Sequence, residues 1–274
     1  MPFPWNDPGS SFSDFLAAYR QQFSTGGSLP LPGAQPSSAS PTDPGRASWL
    51  PLPRGTTVLA LCYGDGAMVA GDRMATEGYQ VADRRIEKVF RADESSAIAI
   101  AGTAGPCIEM ARLFQVELEH YEKLEGSQLS MEGKANKLAQ MVRANLPLAM
   151  QGLIVLPLFA GFDAKLERGR IFKYDVAGGR YEETDYHATG SGGKDARTTM
   201  KKLYRPGLSK ADALAVVLEA LYDAAEEDVA TAGPDLIRNI FPTVKVIDRS
   251  GLTDVDESQI RPLLTRLIDQ RQRG

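Results

Sequence analysis

Apolar periodicity comes in blocks along this chain, and the order of the blocks limits the fold more than any other feature. Four strand-like runs come first, at residues 56–61, 67–70, 85–91 and 97–101. The first two flank Tyr63-Gly64-Asp65-Gly66, and Asp-Gly between apolar runs is a strong hairpin signal. Two helices follow. In one, Cys107, Ala111, Phe114, Leu118 and Tyr121 recur at spacings of four and three, and Gly126 ends it. In the other, Ser130 caps and Ala135, Leu138, Val142 and Leu146 face inward. A second strand group covers 153–161, 170–175, 179–183 and 186–188. Gly190-Ser191-Gly192-Gly193 then opens a helix to about Tyr204. Ser209 caps a fourth helix, with Asp212 three residues on and Leu214, Val217, Leu218, Leu221 and Ala225 inward. A strand at 243–247 and a polar helix at 257–271 close the chain. Strands, two helices, strands, two helices is an α+β order rather than alternating βαβ. Two sheets face to face, with a helix pair on each outer side, would bury every apolar face found here.

Ahead of these blocks lies a different kind of sequence. Residues 1–55 hold ten of the 17 prolines, with Ser and Gly clusters between them. Such a composition buries too little apolar surface to offset the entropy of ordering it. One apolar helical face stands out within it, made by Phe12, Phe15, Leu16, Tyr19 and Phe23. The segment reads either as a tail docking one short helix or as a propeptide removed later. The Gly55-Thr56 junction favours the propeptide. The domain reading is therefore a removable segment over 1–55 and one folded domain over 56–274.

The remaining composition excludes several classes. A net charge of −4 without a basic stripe argues against nucleic acid as a partner. No charged leader with an apolar run opens the chain, and the longest apolar stretch, 153–162, is broken by Pro157. The expected location is the cytoplasm, away from any membrane. Cys62 and Cys107 sit in apolar contexts and read as small core residues of a reducing compartment. No HExxH, CxxC or His-carboxylate cluster suggests a metal site, and no cofactor motif is present.

A hydroxyl nucleophile needs a base, a group to hold that base, and donors for the oxyanion. His120 on a charged helix face and His187 in a polar strand are poor bases for a Ser-His-Asp triad. An N-terminal amine is the alternative. Cutting before Thr56 would give an α-amine with a pKa of about 7.7–8.0, close to working pH. That amine sits on the residue carrying the hydroxyl. Before the cut the same nitrogen is an amide, so the precursor would be latent. Thr56 Oγ could make the cut itself by attacking the Gly55 carbonyl, and a tight turn at Gly55 would exclude a Cβ.

Thr56, then Gly71-Asp72-Arg73 sixteen residues on, then Lys88 sixteen beyond Asp72, resembles the β subunits of the 20S proteasome, notably the actinobacterial branch. The resemblance runs from 54 to about 250, and Val116 to Gly126 with Met150-Gln151-Gly152-Leu153 is especially close. It implies a four-layer α-β-β-α sandwich of two antiparallel sheets, the N-terminal-nucleophile hydrolase fold. It also implies a threonine endopeptidase freed by autocleavage between Gly55 and Thr56. Lys88 would lower the hydroxyl pKa and steer its proton, and Asp72 would hold Lys88 charged. Gly102 would donate its backbone N–H to the oxyanion. Ser191, Asp228 and Thr231 would orient the new amine and a water. Thr76 and Ala104 would pair with the substrate backbone. Ala75, Ile86, Phe90, Ile100 and Ile108 would line an apolar first specificity pocket. No metal or organic cofactor enters this chemistry.

The same resemblance implies partners: α subunits, six further copies of this chain in a seven-membered ring, and a ring ATPase. The ATPase would deliver proteins tagged with the prokaryotic ubiquitin-like protein. Two readings of other classes compete. One is a ring subunit that keeps the fold but not the activity; such chains often lose the nucleophile, the lysine or the preceding glycine, and all three are present here. The other is a small-substrate amidase of the same fold, working without an α partner.

Overall fold

The computed structural model describes residues 55–77 and 80–273. The apolar face at Phe12 to Phe23 and the rest of the N-terminal segment lie outside those residues. Among the described residues the strands form three antiparallel sheets. The first sheet has the order β10-β1-β2-β11-β12, from β1 (Thr57–Tyr63), β2 (Gly66–Gly71), β10 (Tyr186–Gly190), β11 (Thr243–Asp248) and β12 (Gly251–Asp254). The second has the order β5-β6-β7-β8-β9, from β5 (Val89–Asp93), β6 (Ser96–Gly102), β7 (Val155–Asp163), β8 (Arg168–Tyr174) and β9 (Arg180–Glu183). A small ribbon pairs β3 (Ala75–Glu77) with β4 (Gln80–Asp83). The helices are α1 (Ala104–Glu125), α2 (Met131–Ala144), a single turn α3 (Leu146–Ala149), α4 (Gly193–Leu203), α5 (Lys210–Glu227) and α6 (Glu257–Arg273).

Three buried clusters define the layers. Leu59, Leu61, Met68 and Val246 of the first sheet pack on Met200 of α4, Val217 and Leu221 of α5, and Leu264 of α6. Ile98, Phe159 and Phe172 of the second sheet pack on Phe114 of α1 and Leu138 of α2. Val58, Ala60, Val69, Ala97, Ala99 and Leu158 fill the space between the sheets. The alternation is period two: Val58 and Ala60 face the partner sheet, while Leu59 and Leu61 face helices. The result is the expected α-β-β-α sandwich. Small residues dominate between the sheets and let the layers approach closely. Phe159 anchors the other interface, edge-on to Phe114 at 5.6 Å and stacked on Phe172 at 6.1 Å. Truncating such a ring to Ala typically costs about 3–5 kcal/mol.

Capping follows the sequence. Ser130 Oγ accepts from Gly133 N–H at 3.1 Å, and Ser209 Oγ from Asp212 N–H at 3.1 Å. Gly126 closes α1 in the left-handed region at φ 67°. Tyr63 pairs with Gly66 across the two-residue Gly64-Asp65 turn.

Five expectations are corrected. Tyr121 is exposed; Met110 instead joins Cys107, Ala111, Phe114 and Leu118 on the buried face of α1. Leu146 falls on α3 rather than α2, and Ala224 rather than Ala225 is the buried alanine near the end of α5. Residues 84–88 are not strand. There Asp83 Oδ1 accepts Arg85 N–H, and Glu87 Oε1 accepts Lys88 and Val89 N–H, so side chains take groups a ladder would use. The polar C-terminal helix buries Ile260 and Leu264, adding a third helix to the α4–α5 layer.

Candidate active site

β1 is the second strand of its sheet, paired with β10 on one side and β2 on the other, and all seven of its residues are buried. Thr56 immediately precedes it. Its backbone is held by Ser191, which follows β10. Thr56 N–H donates to Ser191 Oγ at 3.2 Å, and Ser191 N–H donates to Thr56 C=O at 3.0 Å. Ser191 Oγ in turn donates to Asp228 Oδ2. Asp228 caps the C-terminus of α5, and its carboxylate also accepts Thr231 Oγ1–H at 2.5 Å and Ala230 N–H at 3.1 Å. A strand start, a glycine-rich turn and a helix end thus meet at one backbone nitrogen.

Asp72 follows β2 and is 1% exposed. Its Oδ1 accepts Lys88 Nζ at 2.6 Å and Thr57 N–H at 2.9 Å. Its Oδ2 accepts Met74 N–H at 3.0 Å and Ala232 N–H at 3.1 Å. Four donors therefore converge on one buried carboxylate and satisfy both of its oxygens. Lys88 is 5% exposed. Burial pushes its ammonium below the usual lysine range, against the opposing pull of Asp72. A lysine shifted that way takes up and gives back a proton more readily near neutral pH.

Thr56 and Lys88 share a pocket with Gly55, Ala75, Ile86, Phe90, Ile100, Gly102, Ala104 and Ile108. Every pocket residue expected from sequence is in that lining except Thr76. Thr76 Oγ1 lies beside it and accepts Gly55 N–H at 3.4 Å. Two lining residues were missed. Cys107, read as core, is buried yet forms part of the wall. Burial pushes its thiol up to about 12, Lys88 opposing, so it is a neutral surface at working pH. Glu87 also borders the pocket, but its carboxylate is taken by Lys88 N–H, Val89 N–H and Thr243 Oγ1. Ala75, Ile86, Phe90, Ile100, Cys107 and Ile108 give the remaining wall an apolar surface.

Two glycines are fixed by close approach. Gly102 ends β6 at φ 132°, where a Cβ would lie 2.1 Å from Ile154 C=O. It leads into α1, whose N-terminal residues Ala104 and Ile108 border the pocket, so the positive helix end adjoins that pocket. Gly55 does not have a positive φ. The constraint expected from a turn comes instead from packing: a Cβ there would lie 1.7 Å from Ala230 Cβ.

Neither histidine approaches this arrangement. His120 is exposed on α1. His187, on β10, lies in another cleft with Lys173, Glu183 and Arg197. Among the described residues no cluster of His, Cys, Asp and Glu could hold a metal ion. Among them, too, no helix is long and apolar enough to cross a membrane.

Comparison with known proteins gives one consistent result. A family model described as proteasome subunit matches residues 52–236. A "Proteasome subunit beta" of Acidimicrobium ferrooxidans is 53% identical over 99% of this chain and 94% of its own length. One of Streptomyces griseus is 51% identical over 98% and 93%, and one of Jonesia denitrificans 50% identical over 96% and 83%.

Proposed function

The chain belongs to the proteasome subunit family, and from that premise we propose that it is the catalytic β subunit of a core particle, acting as a threonine-type endopeptidase. The protease role and assembly with α subunits follow from the family. The finer assignments rest on residues. The observation that carries them is the shared pocket of Thr56 and Lys88, with Lys88 Nζ 2.6 Å from Asp72.

In the precursor, residues 1–55 are a propeptide. Thr56 Oγ attacks the Gly55 carbonyl carbon and the Gly55 C–N bond breaks. The hydroxyl proton passes by way of Lys88 to the departing nitrogen, leaving an ester. Water hydrolyses the ester, giving a Gly55 carboxylate and a free Thr56. Its new α-amine has a pKa of about 7.7–8.0 before local shifts.

In the mature chain the amine accepts the Thr56 Oγ proton, directly or through water, as Oγ attacks a substrate carbonyl. Gly102 N–H donates to the oxyanion, beside the α1 N-terminus. The ammonium then protonates the leaving peptide nitrogen. Water, deprotonated by the same amine, cleaves the acyl-enzyme. Lys88 supplies positive charge beside Oγ, and Asp72 fixes its position. Ser191, Asp228 and Thr231 hold the amine. Thr76 and Ala104 take the substrate backbone, while Ala75, Ile86, Phe90, Ile100 and Ile108 receive an apolar side chain. The particle works in the cytoplasm as seven-membered rings of this chain against α rings. A ring ATPase feeds it substrates tagged with the prokaryotic ubiquitin-like protein.

The test is the intact mass of the chain after co-expression with its α subunit, for wild type and Thr56→Ala. Loss of residues 1–55 with Thr at the new terminus, together with peptide hydrolysis, is expected for wild type only. A processed, active Thr56→Ala chain would exclude Thr56 as nucleophile.

A further inference from the structure

One hydroxyl in the site has no role in the chemistry above. Thr57 is fully buried, at 0% exposure. Its Oγ1 accepts Gly192 N–H at 2.9 Å and lies 2.6 Å from Thr231 Oγ1. Either hydroxyl could donate across that short contact. The neighbours decide the direction. Thr231 has one proton, and it is given to Asp228 Oδ2 at 2.5 Å. Thr57 must therefore be the donor to Thr231.

A directed chain results. It runs from Gly192 N–H through Thr57 and Thr231 to Asp228. From the other side Thr56 N–H donates to Ser191 Oγ, and Ser191 donates to the same Asp228 oxygen. Both arms end on one carboxylate oxygen. Hydrogen bonds in such chains polarise one another, and the two threonines within it are buried, Thr57 at 0% and Thr231 at 4% exposure. Packing closes the arrangement from above: a Cβ on Gly192 would lie 2.7 Å from Thr57 Oγ1 and 2.8 Å from Thr231 Oγ1.

We propose that Thr57 is a positioning residue for the hydrolytic reaction, its hydroxyl fixing the hydrogen-bond direction that ends at the nitrogen of Thr56. This rests on the reading of Thr56 as the nucleophile whose amine is the base. The physical argument is directional. While Thr231 is held to Asp228, that carboxylate keeps the Ser191 proton, and the Ser191 lone pairs face the Thr56 nitrogen. A hydroxyl that can only accept favours the protonated amine, the state formed as Oγ attacks. Without the Thr57 donor, Thr231 Oγ1 loses the bond that polarises its own O–H and becomes a weaker donor to Asp228. Asp228 then draws the Ser191 proton more strongly, the Ser191 oxygen becomes a better acceptor, and the protonated amine is favoured further.

The test uses core particles assembled from the full-length chain and its α subunit. Thr57→Val keeps the shape and removes the hydroxyl; Thr57→Ser restores it. For Thr57→Val, kcat on a short fluorogenic peptide should fall about tenfold with KM within twofold. The acid limb of its kcat profile should move to higher pH by at least about half a unit, because the protonated amine is favoured. Thr57→Ser should return both to wild-type values. An unmoved acid limb, or a kcat that Thr57→Ser does not restore, would reduce Thr57 to a packing residue and overturn the proposal. Should Thr57→Val fail to assemble, Thr57→Ala, which cannot overfill the site, is read by the same criteria. Thr56→Ala particles run in parallel separate the two levels: activity there would defeat the nucleophile reading itself, whatever Thr57 does.

Discussion

Lys88 Nζ and Asp72 Oδ1 lie 2.6 Å apart with 5% and 0% of their side chains exposed, but the two residues are not equally dependent on each other. Asp72 keeps three backbone N–H donors if the lysine is removed, from Thr57, Met74 and Ala232. Among the described residues the Lys88 ammonium has one side-chain hydrogen bond, to Asp72. Asp72→Asn should therefore cost about 3–5 kcal/mol in urea unfolding, the usual cost of stranding a buried charge. Lys88→Met should cost clearly less, while both lose at least about 100-fold in peptide hydrolysis. Equal stability losses would contradict this asymmetry.

Gly55 and Ala230 form a second pair with a testable geometry. The 1.7 Å clash that a Gly55 Cβ would make with Ala230 Cβ should hinder docking of the junction. Gly55→Ala is expected to accumulate uncut chain, visible by intact mass. Ala230→Gly removes the atom in the way, so the double variant should recover a substantial share of processing. A double variant as slow as Gly55→Ala would show that the barrier lies elsewhere.

The pocket wall gives a specificity prediction. Ala75 is 9% exposed and borders the cavity with Ile86, Phe90 and Ile100. Ala75→Val should shrink the space open to a substrate side chain. The ratio of kcat/KM for peptides cleaved after Phe to those cleaved after Ala should fall about tenfold, the usual scale for a misfitted methylene or two. An unchanged ratio would remove Ala75 from the specificity determinants.

His187 gives a pH effect unconnected with catalysis. Burial, with Lys173 and then Arg197 adding to it and Glu183 opposing, pulls its imidazole down to about 4 from 6.5. Above pH 6.5 the ring is neutral folded or unfolded and contributes no pH dependence. Between 6.5 and about 4 the unfolded chain binds a proton that the folded one refuses, so stability falls as pH falls. After solvent screening this amounts to ~1–2 kcal/mol. His187→Gln should lose that component, measured as the gap between variant and wild type in urea unfolding from pH 7 to 4.5. A gap that stays constant would mean the folded ring protonates normally.

How much of this was legible in the sequence depended on whether the signal was local. The Gly64-Asp65 hairpin, the Ser130 and Ser209 caps and the apolar faces of α1 and α5 are set by residues within a turn or two of each other. Each stood where it was expected, apart from Tyr121 on α1 and Ala225 on α5. The three-residue β3 and four-residue β12 are too short for an alternating pattern to show. Within the site, the offsets of Thr56, Asp72 and Lys88 could be read from the family resemblance. Thr57 could not, because an apolar run hides a threonine whose partners lie at positions 192 and 231. Cys107 gave a core signal, and it is buried; only the fold could turn that buried face into a pocket wall. The reason for Gly55 was also out of reach, since Ala230 meets it only in three dimensions.

The placement of Thr56 at the mouth of β1, with buried ladders on both sides of that strand, has a consequence for heating. Flexible loops melt before the body that carries them, and enzymes whose nucleophile rides on such a loop lose function first and shape later. Here the proposed nucleophile adjoins one of the most deeply paired segments, which can open only when both neighbouring strands let go. Inactivation and global unfolding should then share one midpoint, and amides of residues 57–63 should be among the last to exchange with deuterium.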